Sequence, residues 1–281
     1  MGHPRQTRGI AARVDKRVPP DGARAVHTPG GDEVGRPDPS RPRRGRRIRA
    51  IARGFEIVSR AVLAGILLGL TLPVIMVAMT ITILTSGGPA LYTQWRVGRG
   101  GRRFKIYKIR TMIHDCEGTS GPRWASPDDP RVTRVGRFLR RTHLDELPQF
   151  WNVIRGDMSF VGPRPERPEI VEEIAIEIPS YVLRTAIDPG ITGLAQILLG
   201  PDVDLDSVRR KLDCDRYYMV MRRGSPLNRR ILLATPFRMI GLSSSVLISL
   251  FQLPSPEDCR RLVAGLEEAD REASDRPGGE R

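Results

Sequence analysis

From Ala61 to Leu84 the chain carries no charged residue for 24 positions. At about 1.5 Å per residue, a helix of that length reaches across a hydrocarbon core of about 30 Å. Pro73 stands near its middle. Proline has no amide to offer the carbonyl of Gly69, and its ring crowds that carbonyl, so the sequence predicts a helix that kinks or breaks there. Each half then measures roughly 17 Å and ends near the bilayer midplane. Both flanks are basic, with Arg49, Arg53 and Arg60 before the segment and Arg96, Arg99, Arg102, Arg103 and Lys105 after it. Basic residues concentrate on the cytoplasmic side of spanning helices, so two basic flanks oppose a simple crossing. A re-entrant helix that breaks at Pro73 and returns satisfies both flanks, and this arrangement is favoured over the alternative, a kinked single-pass helix.

The formal net charge of +14 calls for an anionic partner, whether nucleic acid, acidic lipid or a phosphorylated substrate. Nine of those fourteen charges lie at or before Arg60. Residues 1–50 are rich in Arg, Pro and Gly and nearly free of large apolar side chains, a composition that cannot offset the entropy of ordering. They are read as a disordered basic tail. The tail has no aromatic residue on which a base could stack, which favours an anionic membrane lipid over nucleic acid as its partner. Cys116, Cys214 and Cys259 are odd in number and scattered, as expected of reduced thiols. The four histidines lie far apart and give no zinc spacing.

The remainder predicts an α+β, mostly helical protein: a re-entrant membrane helix at 51–90, a small catalytic domain with interfacial helices at 91–253, and a charged flexible tail at 254–281. Turn signals stand at Gly98 to Gly101 and at Pro127 to Pro130, and the apolar alternation from Phe104 to Ile109 suggests a strand or hairpin. DPRVTRVGRFLRR suggests an amphipathic helix capped by Asp129, with Pro130 in its first turn. It suits either a membrane surface or the side of the domain. Arg230 to Phe251, interrupted by Pro236 and Arg238, is expected to lie at the membrane interface.

The densest chemical signal is HLDELPQFWNVIRGDMSFVGPRPERPE, His143 to Glu169. Leu144, Leu147, Trp151 and Ile154 recur at helical spacing and place Asp145 and Glu146 in or near the first turn of a helix. Neighbours on a helix point about 100° apart, so the two acids can take different tasks. This segment resembles the monotopic phosphoglycosyl transferases, bacterial sugar transferases that initiate glycan assembly on a polyprenyl (undecaprenyl) phosphate. The resemblance runs from about Phe55 to Leu242 and includes the Pro-broken apolar segment, QWRVGRGGRRFKIYKIRTM, DPRVTRVGRFLRRTHLDELPQ, NVIRGDMSFVGPRP and DPGITGLAQI.

It implies a transfer of sugar 1-phosphate from a nucleotide diphosphate sugar, such as a UDP-sugar, through a covalent intermediate on Asp145. Glu146 assists in acid-base chemistry or in placing Mg2+, for which Asp145 and Glu146 are the implied ligands. It further implies Arg164, Lys108, Arg110 and Arg140 as substrate-phosphate contacts, a donor-site loop containing Gly190, Thr192, Gly193 and Gln196, and a place at the bacterial inner membrane with the catalytic domain facing the cytoplasm. The glycines and threonine of that loop are equally accounted for by backbone geometry. Asp157 is expected to have a structural role. Relatives commonly have an aspartate near Ser225 to Arg230, where this chain offers only Asn228. A noncatalytic, membrane-anchored basic protein accounts for the charge but not for the ordered motifs. A conventional glycosyltransferase differs in releasing nucleoside diphosphate.

Overall fold

The computed structural model describes residues 43–116, 129–222 and 226–274. Most of the basic tail, the first part of the expected turn at 127–130, and Ser225 lie outside the described residues.

The first element, α1 (Arg43–Ser86), starts inside the stretch read as a disordered tail, so residues 43–50 are helical. Gly54–Ser86 is long and apolar enough to cross a membrane. Ala64, Ile75, Ala78 and Thr82 are buried in a narrow stripe, whereas Leu70, Val77 and Leu84 on the other faces are exposed. Burying such a side chain stabilises by roughly 1.5–3 kcal/mol, so a sleeve of them left uncovered marks a surface that suits an apolar partner or a lipid phase. The expected break at Pro73 does not end the helix, which runs through it. Proline is tolerated where lipid or neighbouring helices leave no better alternative to helical bonding.

Next comes the expected hairpin, β1 (Leu91–Val97) antiparallel to β2 (Arg103–Ile109), with Leu91 opposite Ile109 and Val97 opposite Arg103. Its turn uses left-handed backbone at Gly100 (φ 62°) and Gly101 (φ 77°), which glycine adopts without a Cβ clash. Phe104 and Ile106 of β2 share a core with Ala64 near the start of the apolar segment, and Ile109 shares one with Ile75 and Ala78 further along. The strand therefore runs beside α1 in the same direction.

The amphipathic helix forms as α2 (Arg134–Thr142), but it starts later than predicted. Thr133 caps it, its hydroxyl accepting the amide of Gly136 at 2.8 Å. Asp129 instead binds Arg131, accepting its backbone amide at 3.0 Å and its Nε at 2.8 Å. A short 3-10 segment, Leu144–Gln149, leads into α3 (Phe150–Ile154). The parallel pair β3 (Ser159–Val161) and β4 (Gly190–Thr192) encloses α4 (Pro168–Glu177) and a 3-10 stretch, Pro179–Ala186.

The remaining helices are α5 (Leu194–Leu198), α6 (Leu205–Met221), α7 (Leu227–Met239), α8 (Ser244–Phe251) and α9 (Pro256–Ser274). They meet in a core that includes Ile197, Cys214, Tyr218, Ile231, Leu247 and Cys259. The expected flexible tail from residue 254 is thereby corrected. Residues 256–274 form a helix that buries Cys259 and Val263, one turn apart, because a two-residue apolar stripe suffices when a neighbouring helix covers it.

Candidate active site

Asp145 and Glu146 sit on the 3-10 segment rather than in the first turn of an α-helix, Pro148 being accommodated in the same segment. His143 starts it in left-handed backbone, φ 54°, reversing the chain after α2. With three residues per turn, neighbours diverge by about 120°, and the two carboxylates face different partners.

Glu146 is clamped. Its Oε1 accepts from Lys108 Nζ at 2.7 Å and from Arg164 Nη2 at 2.8 Å. Burial alone would raise its carboxyl, but these two cations outweigh burial and hold it well below the usual carboxylate range. Desolvation in turn lowers the Lys108 ammonium, opposed by Glu146. The Arg164 side chain remains 41% exposed and faces the open side of the pair.

Asp145 is in the opposite condition. It is 7% exposed, and burial, followed by the charge of Glu146, pushes its carboxyl up to about 6. Lys108, Arg140 and His143 oppose that rise without cancelling it. One carboxylate is therefore fixed and charged, while its neighbour is a buried carboxyl with a raised pKa, a condition that suits an oxygen nucleophile or a base.

The scaffold explains the placement. Lys108 lies on β2, and Asn152, fully buried on α3, joins α3 to that strand: its Nδ2 donates to the Lys105 carbonyl at 2.7 Å and its Oδ1 accepts from the Tyr107 amide at 3.2 Å. Arg164 stands on the Pro163–Glu166 arm, pinned from both sides. On the β1 side, the Val97 amide donates to the Glu166 carbonyl at 2.9 Å, and Arg96 Nη1 to the Pro165 carbonyl at 3.2 Å. On the other, Arg184 Nη2 donates to the Arg164 carbonyl at 3.1 Å. Arg184 also lies over the Tyr181 ring, 4.8 Å from its centroid, and pairs with Asp215 Oδ2 at 2.8 Å. Burial raises the Asp215 carboxyl, with Arg184 opposing.

Other expected site residues fall elsewhere. Arg140 Nε donates to the Thr111 hydroxyl at 2.8 Å, within electrostatic reach of Asp145. Arg110 is not brought to the acids: it holds the end of α1, donating to the Ser86 hydroxyl at 2.9 Å and to the Gly87 carbonyl. Gly190 and Gly193 are packed so tightly on Gly162 that an added Cβ would lie 2.1 Å from Gly162 N and 2.2 Å from Gly162 O. Thr192 shares a hydrogen bond with Thr235 at 2.9 Å, and Gln196 donates to the Ile191 carbonyl at 3.2 Å. These four support the base of the Arg164 arm. Asp157 pairs with Arg155 at 3.2 Å, and Asn228 accepts from the Tyr218 hydroxyl at 2.8 Å.

The profile of the family described as bacterial sugar transferase matches residues 49–241, which include the apolar segment of α1, the carboxylate pair and the Arg164 arm. The chain belongs to the bacterial sugar transferase family. Among its relatives, a UDP-N-acetylgalactosamine-undecaprenyl-phosphate N-acetylgalactosaminephosphotransferase of Aeromonas hydrophila is 43% identical over 60% of this chain and 39% of its own length. A putative undecaprenyl-phosphate N-acetylgalactosaminyl 1-phosphate transferase of Bacillus subtilis is 54% identical over 42% of this chain and 65% of its own length. A UDP-glucose:undecaprenyl-phosphate glucose-1-phosphate transferase of Caulobacter vibrioides is 43% identical over 56% of this chain and 60% of its own length. The chain thus covers between 39% and 65% of these relatives.

Within this sugar transferase domain, sequence reasoning missed Asn152, Arg184 and Asp215. Arg184 and Asp215 carry no local signature. Asn152 does: a polar residue on the apolar run FWNVI is a sign of a buried hydrogen-bonding task.

Proposed function

We propose that the chain transfers a sugar 1-phosphate from a UDP-sugar to a polyprenyl phosphate, with Asp145 as nucleophile. The observation that carries this reading is the asymmetry of the pair: Glu146 held by Lys108 and Arg164, beside a buried Asp145 with a raised carboxyl. An Asp145 oxygen attacks the β-phosphorus, and the bond from that phosphorus to the bridging oxygen breaks, that oxygen leaving with UMP. A phosphate oxygen of the acceptor then attacks the same phosphorus and returns Asp145 as a carboxylate. Arg164, rigidly presented between two prolines and half open, meets the donor diphosphate. Lys108 keeps Glu146 ionised and adds positive potential.

The two carboxylates also fit Mg2+, which takes one or two carboxylates and completes its shell with water and substrate phosphate. Burial raises the Asp145 carboxyl and the neighbouring Glu146 charge adds to it, a charge that a cation there would offset, and among the described residues no group of three potential ligands forms a protein cage. Bound there, Mg2+ supplies neutralisation of diphosphate charge.

The membrane part of the proposal is that α1 lies in one leaflet with both flanks on the cytoplasmic side of the inner membrane. It is supported by contacts at both ends of its apolar segment with one domain: Arg60 to Asp188 at 3.6 Å, and Ser86 to Arg110 at 2.9 Å. Exposed Leu233, Ile240 and Leu250 on α7, at its C-terminus and on α8 support interfacial helices facing anionic lipid.

The test is product identity. Membranes containing the chain, given a panel of UDP-sugars with Mg2+ and undecaprenyl phosphate, are expected to release UMP. Release of UDP instead would reject the reaction class, and silence across the panel would favour a noncatalytic anchor.

A further inference from the structure

An apolar groove of about 610 Å³ lies between the second half of α1 and the outer side of α2. Val77 and Ala78 form one wall, Val135, Phe138 and Leu139 the other, and Leu144 closes its inner end. Its volume falls within the range of small-molecule sites, about 300–1,000 Å³, yet almost no polar atom faces it. Phosphates gain nothing from such a wall.

Its position gives it meaning. Leu144 immediately precedes Asp145, and Leu139 immediately precedes Arg140, so two lining residues are chain neighbours of the proposed nucleophile and of a cation tied to Thr111 at 2.8 Å. Arg134, on the first turn of α2, adds a second cation to the lining. An apolar groove with cations on and beside its lining suits a ligand with a long apolar tail and an anionic head.

Resting on the transfer proposed above, we infer that this groove seats the isoprenoid chain of the polyprenyl phosphate. The tail lies between Val77 and Phe138 and brings the phosphate to Arg140 and Asp145. The soluble donor meets the pair from the Lys108 and Arg164 side, so the two substrates approach Asp145 from different directions. The seat opens along the same face of α1 that is exposed for lipid, and the acceptor enters from the bilayer without crossing water.

The experiment uses the full chain in phospholipid nanodiscs. Val77 is 59% and Phe138 60% exposed, so Val77→Trp and Phe138→Trp fill the groove without disturbing a core. Leu70→Trp, on an exposed part of α1 outside the groove, is the control. The groove variants are expected to raise the acceptor KM at least tenfold, with donor KM within twofold of the starting chain and the control unchanged. A benzophenone-bearing polyprenyl phosphate is expected to label peptides containing Val77 and Phe138, and excess undecaprenyl phosphate to suppress that labelling. Unchanged acceptor KM in both variants would overturn the assignment. So would labelling that nanodisc phospholipid competes as well as undecaprenyl phosphate, because the groove would then seat any acyl chain. The labelling arm reads binding without turnover. Failure of all nucleotide release with labelling intact would therefore strike the proposed reaction and leave the seat standing.

Discussion

Asp145 and Glu146 are adjacent in sequence yet differ in ionisation because their surroundings differ. A raised carboxyl is protonated below its pKa, and only the carboxylate attacks phosphorus. The kcat/KM for donor reports the free enzyme. It should therefore fall about tenfold per pH unit below a limb near pH 6, the value to which Asp145 is raised. Arg140 opposes that rise, so Arg140→Gln should move the limb to higher pH. Mg2+ held by the pair would lower that limb, so the profile is read at limiting Mg2+, where a limb near pH 4 in the unsubstituted chain would contradict the assignment. Glu146→Gln removes the counter-charge of Lys108, whose own side chain is only 16% exposed. Because Arg164 is partly open to solvent, the expected loss is about 3 kcal/mol, the lower end for breaking a buried pair. A drop in Tm of the purified chain checks it, and an unchanged Tm would mean that the pair is solvated.

At the scale of elements, the site depends on a few close approaches. An added Cβ at Gly136 would stand 1.9 Å from the Thr111 carbonyl oxygen, so Gly136→Ala should push α2 away from the strand end that anchors Arg140. Overpacking of this kind costs about 1–3 kcal/mol, readable by thermal unfolding, and activity should fall with it. Arg184 acts on the reaction only through the carbonyl of Arg164. Arg184→Lys should consequently slow turnover in the unsubstituted chain and add little in an Arg164→Lys background, a non-additivity that a double-mutant cycle measures. Full additivity would give Arg184 an independent role.

The hairpin was legible because period-two alternation and a Gly-rich turn are local signals. The start of α2 was misplaced because Asp129 spends its acceptors on Arg131, a pairing that outcompetes capping. The carboxylates were found by motif order, but their 3-10 geometry and the Arg184–Asp215 brace depend on tertiary packing that no local window contains. Helix α9 was missed because its charged surface conceals a stripe only a neighbour makes visible.

The molecule as a whole joins a helix long and apolar enough to cross a membrane to a polar site. From Arg60 to Ser86 a straight helix covers about 39 Å, more than a hydrocarbon core of about 30 Å, yet the domain touches it near both ends. Cysteines introduced at residues 40 and 100 should therefore react with an impermeant reagent from the same side of sealed vesicles. Opposite-side labelling would make α1 a spanning helix and contradict its placement in one leaflet.

The most direct measurement is rapid-quench trapping with a donor labelled in the sugar phosphate, in the absence of acceptor. The account expects label on the peptide containing Asp145, matched by UMP and absent in Asp145→Asn. UMP release with no protein-bound label at any quench time, or label that persists in Asp145→Asn, would contradict it.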